Sequence, residues 1–128
     1  MIFLGAVVAA LAALLHVFIF YLESVAWTHS RARSVFGMSE DEAVSTKELA
    51  FNQGFYNLFL ALEVFVALGF LVAGATAVGG ALALAGVGSM LAAALVLWVW
   101  SPDNRSAAVK QGSLPLLAVI LITIGLCA

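Results

Sequence analysis

The sequence is short of charge. Only 9% of its 128 residues are Asp, Glu, Lys or Arg, against about a quarter in ordinary soluble domains. That shortage excludes a water-soluble domain, whose surface could not be covered. Cysteine is scarcer still, and the single Cys127 excludes an intrachain disulfide. There is no glycine-rich phosphate loop, no Cys/His spacing for zinc and no Gly-x-Ser-x-Gly turn. The short motifs of nucleotide enzymes, zinc proteins and serine hydrolases are therefore missing. No cofactor and no nucleic-acid partner is expected. The alternating apolar strands of about ten residues that build a membrane barrel are also absent. The first apolar run has neither a basic leader nor an Ala-x-Ala-like cleavage site, so it is expected to be a retained helix rather than a signal peptide.

What the sequence has in quantity is oil, at 65% hydrophobic residues. A run of about 20 apolar residues crosses a bilayer as a helix, and four such runs occur. They predict helices over Ile2–Thr28, Thr46–Ala73, Ala77–Trp100 and Ser106–Leu126. The expected architecture is all-α, a single-domain integral membrane four-helix bundle whose first partner is the lipid bilayer. Helices are forced because lipid offers no partner to backbone N–H and C=O groups.

The loops carry further information. The long first loop, "HSRARSVFGMSEDEAVSTK", places Glu42 three residues after Ser39, the spacing of a capping box, and predicts a short helix there. Every basic residue (Arg31, Arg33, Lys47, Arg105 and Lys110) falls in the first and third loops or just inside the adjoining helix ends. Positive loops stay cytoplasmic, which puts both termini on the non-cytoplasmic side and Trp27, Trp98 and Trp100 at the cytoplasmic interface. The third run, "VGGALALAGVGSMLAAAL", is nearly all small residues and reads as a packing spine. A substrate-lining role for Gly86, Gly88 and Ser89 is the alternative.

A few polar residues interrupt the oil. A helix turns about 100° per residue, so His16, Phe20, Glu23 and Trp27 share one stripe of the first helix. In "KELAFNQGFYNLFLALE", Glu48, Asn52, Tyr56 and Glu63 share another, flanked by Gln53 and Asn57. Gln111 lies in the fourth helix. Counting about 1.5 Å per residue from the basic end, Glu23 lies roughly 6 Å deep, with Asn52, Gln53, Tyr56 and Gln111 at its level. His16 and Glu63 lie roughly 16 and 20 Å deep by the same rise. An unpaired charge at mid-bilayer costs at least about 2.5–3.5 kcal/mol, so these residues are expected to face inward. Two layers follow. A wet upper layer holds Glu23, Asn52, Gln53, Tyr56, Asn57 and Gln111, and together with His16 and Trp27 these form the expected ligand-binding site. A drier layer pairs His16 with Glu63, either as an ion pair or as neutral partners sharing a proton. For Gln53 and Asn57, interhelical hydrogen bonding is the competing role. One His and two Glu on separate helices are too few and too scattered for a metal site to be expected.

The His16, Glu23, Trp27 spacing, then "RSVFG", "NQGFYNLFLA" and "QGSLPLLAVI", together resemble a family of small bacterial four-helix membrane proteins catalogued as domain of unknown function 1304. The resemblance covers nearly the whole chain and is weakest in the third helix. It implies the four-helix fold and a bacterial inner-membrane location, and it implies no activity. A second, architectural likeness is to membrane-associated glutathione-dependent enzymes. It stops at Asn57, because the Arg-rich approach and Asn-x-x-Glu spacing of those enzymes are missing.

Three functions fit the polar layer. The first is binding or transport of a small amphipathic or lipophilic ligand in a pocket open to the cytoplasm, with a homo-oligomer expected if transport is the task. The second is a membrane enzyme acting on a lipid or isoprenoid-like substrate, with Glu23 or His16 as acid/base. The third is an accessory subunit that docks a larger membrane complex.

Overall fold

The computed structural model describes residues 1–128. It is all-helical, with four helices long and apolar enough to cross a membrane, and the protein is an integral membrane helical bundle. Helix α1 (Ile2–Phe20) continues into a π-helical turn, Tyr21–Val25. Short helices α2 (Ser30–Phe36) and α3 (Glu40–Ser45) follow, then the spans α4 (Lys47–Val72), α5 (Thr76–Trp100) and α6 (Arg105–Cys127). A single turn of tighter helix, Pro102–Asn104, joins α5 to α6.

The spans form a closed ring in which α1 packs on α4, α4 on α5, α5 on α6 and α6 on α1, with little contact across the diagonal. Each neighbour runs antiparallel to the next. The ends of α1 and α5 therefore share one end of the bundle with the starts of α4 and α6, and all three tryptophans sit there. At the α4–α5 turn, Gly74 adopts φ +81°, a left-handed conformation that glycine reaches without steric penalty.

Small residues let the helices approach closely, which is how membrane helices gain contact when burial from water offers nothing. A Cβ on Gly5 would lie 2.9 Å from the backbone N of Ile122, and one on Gly79 would lie 2.8 Å from the backbone N of Leu71. Gly125 abuts Ile2 in the same way, at 2.5 Å. The predicted spine of α5 holds for Gly86, which packs on Val64, but Gly88 faces open space and Ser89 is exposed.

Two details differ from the sequence reading. The first helix ends at Val25 rather than Thr28, and its last turn widens so that Ala26 N–H donates to Tyr21 O at 2.9 Å. The first loop holds two short helices where one was expected. The predicted capping box at Ser39 is present, with Glu42 N–H donating to Ser39 Oγ and Ser39 N–H donating to Glu42 Oε2. The unpredicted α2 ends at Gly37, φ +65°, where the left-handed residue reverses the chain.

Candidate functional site

A cavity of about 590 Å³ opens among the four spans at the tryptophan end. Its α4 wall is Gln53, Tyr56, Asn57 and Leu60, the spacing i, i+3, i+4, i+7 that marks one helix face. Helix α1 supplies His16, Glu23 and Trp27, and α6 supplies Ala107 and Gln111. Ala93 and Leu97 of α5 close the side opposite α1. Phe36 at the end of α2, with Gly37 and Met38 after it, arches over the opening.

Glu23 is aimed by a chain of close contacts. Gly54 leaves no room for a Cβ, which would collide with Ser24 Oγ and lie 3.1 Å from both Glu23 Cβ and Phe20 O. The π turn of α1 therefore presses directly on the backbone of α4. Ser24 Oγ donates to Phe51 O at 2.8 Å, fixing the register of that contact. Phe20 packs edge-on against Phe55 with ring centres 5.1 Å apart. The result sets Glu23 beside Asn57, whose Nδ2 donates to Glu23 Oε2 at 2.8 Å and also reaches Gln53 O at 3.3 Å. π turns of this kind recur at functional positions.

His16 forms the floor of the cavity and is 1% exposed. Its Nδ1 lies 2.9 Å from the carbonyl O of Ala12, one turn earlier. A carbonyl only accepts, so Nδ1 carries the proton and Nε2 is the acceptor in the neutral ring. Above, Trp27 Nε1 donates to Thr46 Oγ1 at 3.1 Å, and Thr46 Oγ1 donates to Glu42 O. The Trp27 ring stands 5.0 Å from that of Phe36. Arg33 meets Glu40 at 3.3 Å and clasps α2 to α3. These contacts hold the short-helix segment across the cavity mouth.

The polar side chains differ in how far they are committed. Asn57 bonds to Glu23 across helices, which is the adhesive role weighed for it. The side chains of Gln53, Tyr56 and Gln111 make no hydrogen bond within the chain, and Glu23 Oε1 is likewise without a partner. Four polar groups that face one cavity are thus left available. No group of three or more His, Cys, Asp and Glu side chains is placed to hold a metal.

Beside the cavity lies a groove of about 360 Å³ between α1 and α6, roofed by α2. Its floor is Leu15, Phe18, Ile19 and Leu22, and Ser106 and Lys110 edge its upper rim. Phe36, Gly37, Asn104, Ala107 and Gln111 line both spaces, so the groove adjoins the cavity. Arg31 reaches back over Phe18, 6.0 Å from the ring centre.

Every residue expected in the polar layer lines the cavity except Asn52, which is exposed on the outside of α4. The expected stripe ran through Glu48, Asn52, Tyr56 and Glu63. The face that actually turns inward carries Ala50, Gly54, Ala61 and Val64, because small residues allow the closest approach to α1 and α5. Asn52 sits about 100° around the helix from Gln53 and points away. His16 and Glu63 are not brought together either, and the expected pair does not form. His16 bonds to Ala12 O, and the only ion pair in the chain is Arg33–Glu40. The sequence reading missed the α5 wall and the Phe36–Met38 arch. The alanines and leucines of α5 carry no polar signal, whereas Gly37 could have marked the chain reversal.

A family described as "Protein of unknown function (DUF1304)" matches residues 10–123. The search of curated proteins gave no match, and neither did the search of solved structures.

Proposed function

The chain belongs to the family described as Protein of unknown function (DUF1304), and from the geometry of its cavity we propose that it binds or transports a small amphipathic or lipophilic molecule. The head of the ligand lies in the cavity against Glu23, and its apolar part lies in the groove between α1 and α6. One observation carries this reading. Glu23 Oε1, Gln53, Tyr56 and Gln111 face a common space of about 590 Å³ without being tied to one another. Small-molecule sites typically measure about 300–1,000 Å³ and are apolar with a few convergent polar groups. Trp27 and Tyr56 offer ring faces to a cationic head, and the two glutamines orient it.

The membrane side follows from charge. All five basic residues lie at the cavity end of the bundle, which supports a cavity open to the cytoplasm and both termini on the opposite side of a cytoplasmic membrane. A second reading has an observation of its own. His16 Nε2 is an available base at the cavity floor and Glu23 an available carboxyl at its wall, an acid/base set for a membrane enzyme acting on a lipid or isoprenoid-like substrate.

The test uses purified protein in lipid nanodiscs and alkylammonium, neutral alcohol and alkyl carboxylate probes of equal chain length. The alkylammonium probe is expected to raise the melting temperature most and to lose that effect in Glu23→Gln. Its binding should weaken as the pH falls, because protonation removes the anion that attracts it. If none of the three probes shifts the melting temperature and native mass spectrometry finds no retained small molecule, the reading fails. Turnover of an added lipid would favour the enzyme instead.

A further inference from the structure

Glu23 is not the only hydrogen-bond acceptor that α1 turns into the cavity. His16 lies on the floor, 1% exposed, and its one hydrogen bond joins Nδ1 to Ala12 O of the same helix. Polar side chains inside membrane bundles commonly hold helices together by bonding from one to the next. His16 bonds to no other helix, so adhesion does not account for it. What the Ala12 bond does is fix the tautomer. With the proton on Nδ1, Nε2 is an acceptor, and no group of the chain donates to it. A buried acceptor is costly unless something donates to it. Water can do so while the cavity is wet. A ligand that takes the place of water there supplies the bond itself or loses affinity.

We infer that His16 Nε2 reads a second polar group on the ligand, an uncharged hydrogen-bond donor held deeper in the cavity than the cationic group at Glu23. The inference rests on the ligand reading above and narrows it to a class: amphipathic amines whose head also carries a hydroxyl or an amide N–H. The tautomer selects a donor, because an ether or ester oxygen has nothing to bond at Nε2. Cost selects a neutral one. The carboxylates that line the cavity, Glu23 and Glu42, stand nearer its mouth, and an unpaired ammonium close to mid-bilayer is expensive. Spacing limits the head further. His16 and Glu23 are seven residues apart on one helix, about 10 Å along its axis. Two hydrogen bonds of about 2.9 Å each take up part of that span and leave at least roughly 4–5 Å between the two donors. With C–C bonds of about 1.5 Å, a spacer of about three or four carbons reaches both groups and a two-carbon spacer falls short.

Affinity measured in lipid nanodiscs tests this with N-dodecyl amino alcohols and their methyl ethers. Each pair shares charge and tail and differs by a methyl group in place of the hydroxyl proton. The three- and four-carbon amino alcohols are expected to bind about 3- to 10-fold tighter than their ethers, the range of one net hydrogen bond. The two-carbon pair should bind alike. His16→Phe, which removes the acceptor, should bring each alcohol to the affinity of its ether, while Glu23→Gln should still weaken both. Equal binding of alcohol and ether at every spacer in the parent protein overturns the inference and leaves the ligand reading standing, since both probes carry the ammonium. A preference for the alcohol that survives in His16→Phe also overturns it. If no amine binds, the ligand reading falls and this inference with it. Should His16→Phe fail to fold, the spacer series decides alone, and an alcohol preference of equal size at two, three and four carbons overturns the inference.

Discussion

Where Ile2 meets Gly125 and Gly79 meets Leu71, the helices touch through backbone, with no space for an added methyl group. At the opposite end the same four helices stand around a cavity of about 590 Å³. Both ends are assembled from the same apolar stock, and the difference lies in side-chain size at the inward positions. Glycine and alanine draw one end shut. At the other, His16, Glu23, Gln53, Tyr56, Asn57 and Gln111 line the space between the helices, and the Phe36–Met38 arch covers it.

That contrast can be broken by substitution. The largest effect is expected at the shut end. Gly79→Leu would drive side-chain atoms into Leu71 N and Ala67 O, which lie 2.8 and 2.9 Å from even a bare Cβ, and overpacking of this kind costs about 1–3 kcal/mol or more. Gln111→Leu, facing the cavity, should change thermal stability in detergent far less. If the two variants melt alike, the two ends do not differ as described.

The joint between the ends comes next. Gly54→Ala would force a methyl group against Ser24 Oγ. The strain, about 1–3 kcal/mol, is offset in part by about 0.5–1 kcal/mol of helix preference for alanine. The net loss of stability should be modest. Probe binding should fall more than stability does, because the methyl displaces the π turn that carries Glu23. Melting temperature and probe affinity measured on one variant check this, and loss of the first without the second would count against the role given to Gly54.

Much of this contrast was legible in the sequence. Four spans, the ends of the last three to within about one residue, and the capping box at Ser39 followed from apolar length, turn residues and one Ser-x-x-Glu spacing. So did the set His16, Glu23, Gln53, Tyr56, Asn57 and Gln111, since ionisable and amide side chains inside apolar runs are rarely placed toward lipid. What was lost was rotation. A polar stripe and a small-residue stripe compete to face the bundle, and on α4 the glycine and alanines won. That put Asn52 outside and left Glu63 half-buried away from His16, and it dissolved the pair expected for His16. The π turn was also invisible, because nothing in the residues Tyr21–Val25 marks it; in the structure it lies against the backbone at Gly54.

The smallest effect concerns the cover. The Ser39 backbone N–H, and then its hydroxyl, hold the Glu42 carboxyl below its ordinary value of 4.5. A depressed carboxyl stabilises the folded state above that ordinary value and ceases to do so as the pH falls through the lower, folded one. The cap on α3 should therefore be intact at neutral pH and fail only in acid below 4.5. Glu42→Gln should remove that acid-dependent step while leaving the spans folded, as judged by helical circular dichroism across the same pH series.

The widened turn at Tyr21–Val25 makes the aim of Glu23 a matter of counting. A π turn amounts to a single residue inserted into a regular helix. Deleting Tyr21 would let α1 run as a regular helix, moving Glu23 back by one helical position, about 100°, while the residues past Val25 kept their faces, because the inserted residue is absorbed within the turn. The carboxylate would leave the chamber without any change in its chemistry or its neighbours in the chain. Such a deletion separates having the right group from pointing it in the right direction, which replacing the group cannot do.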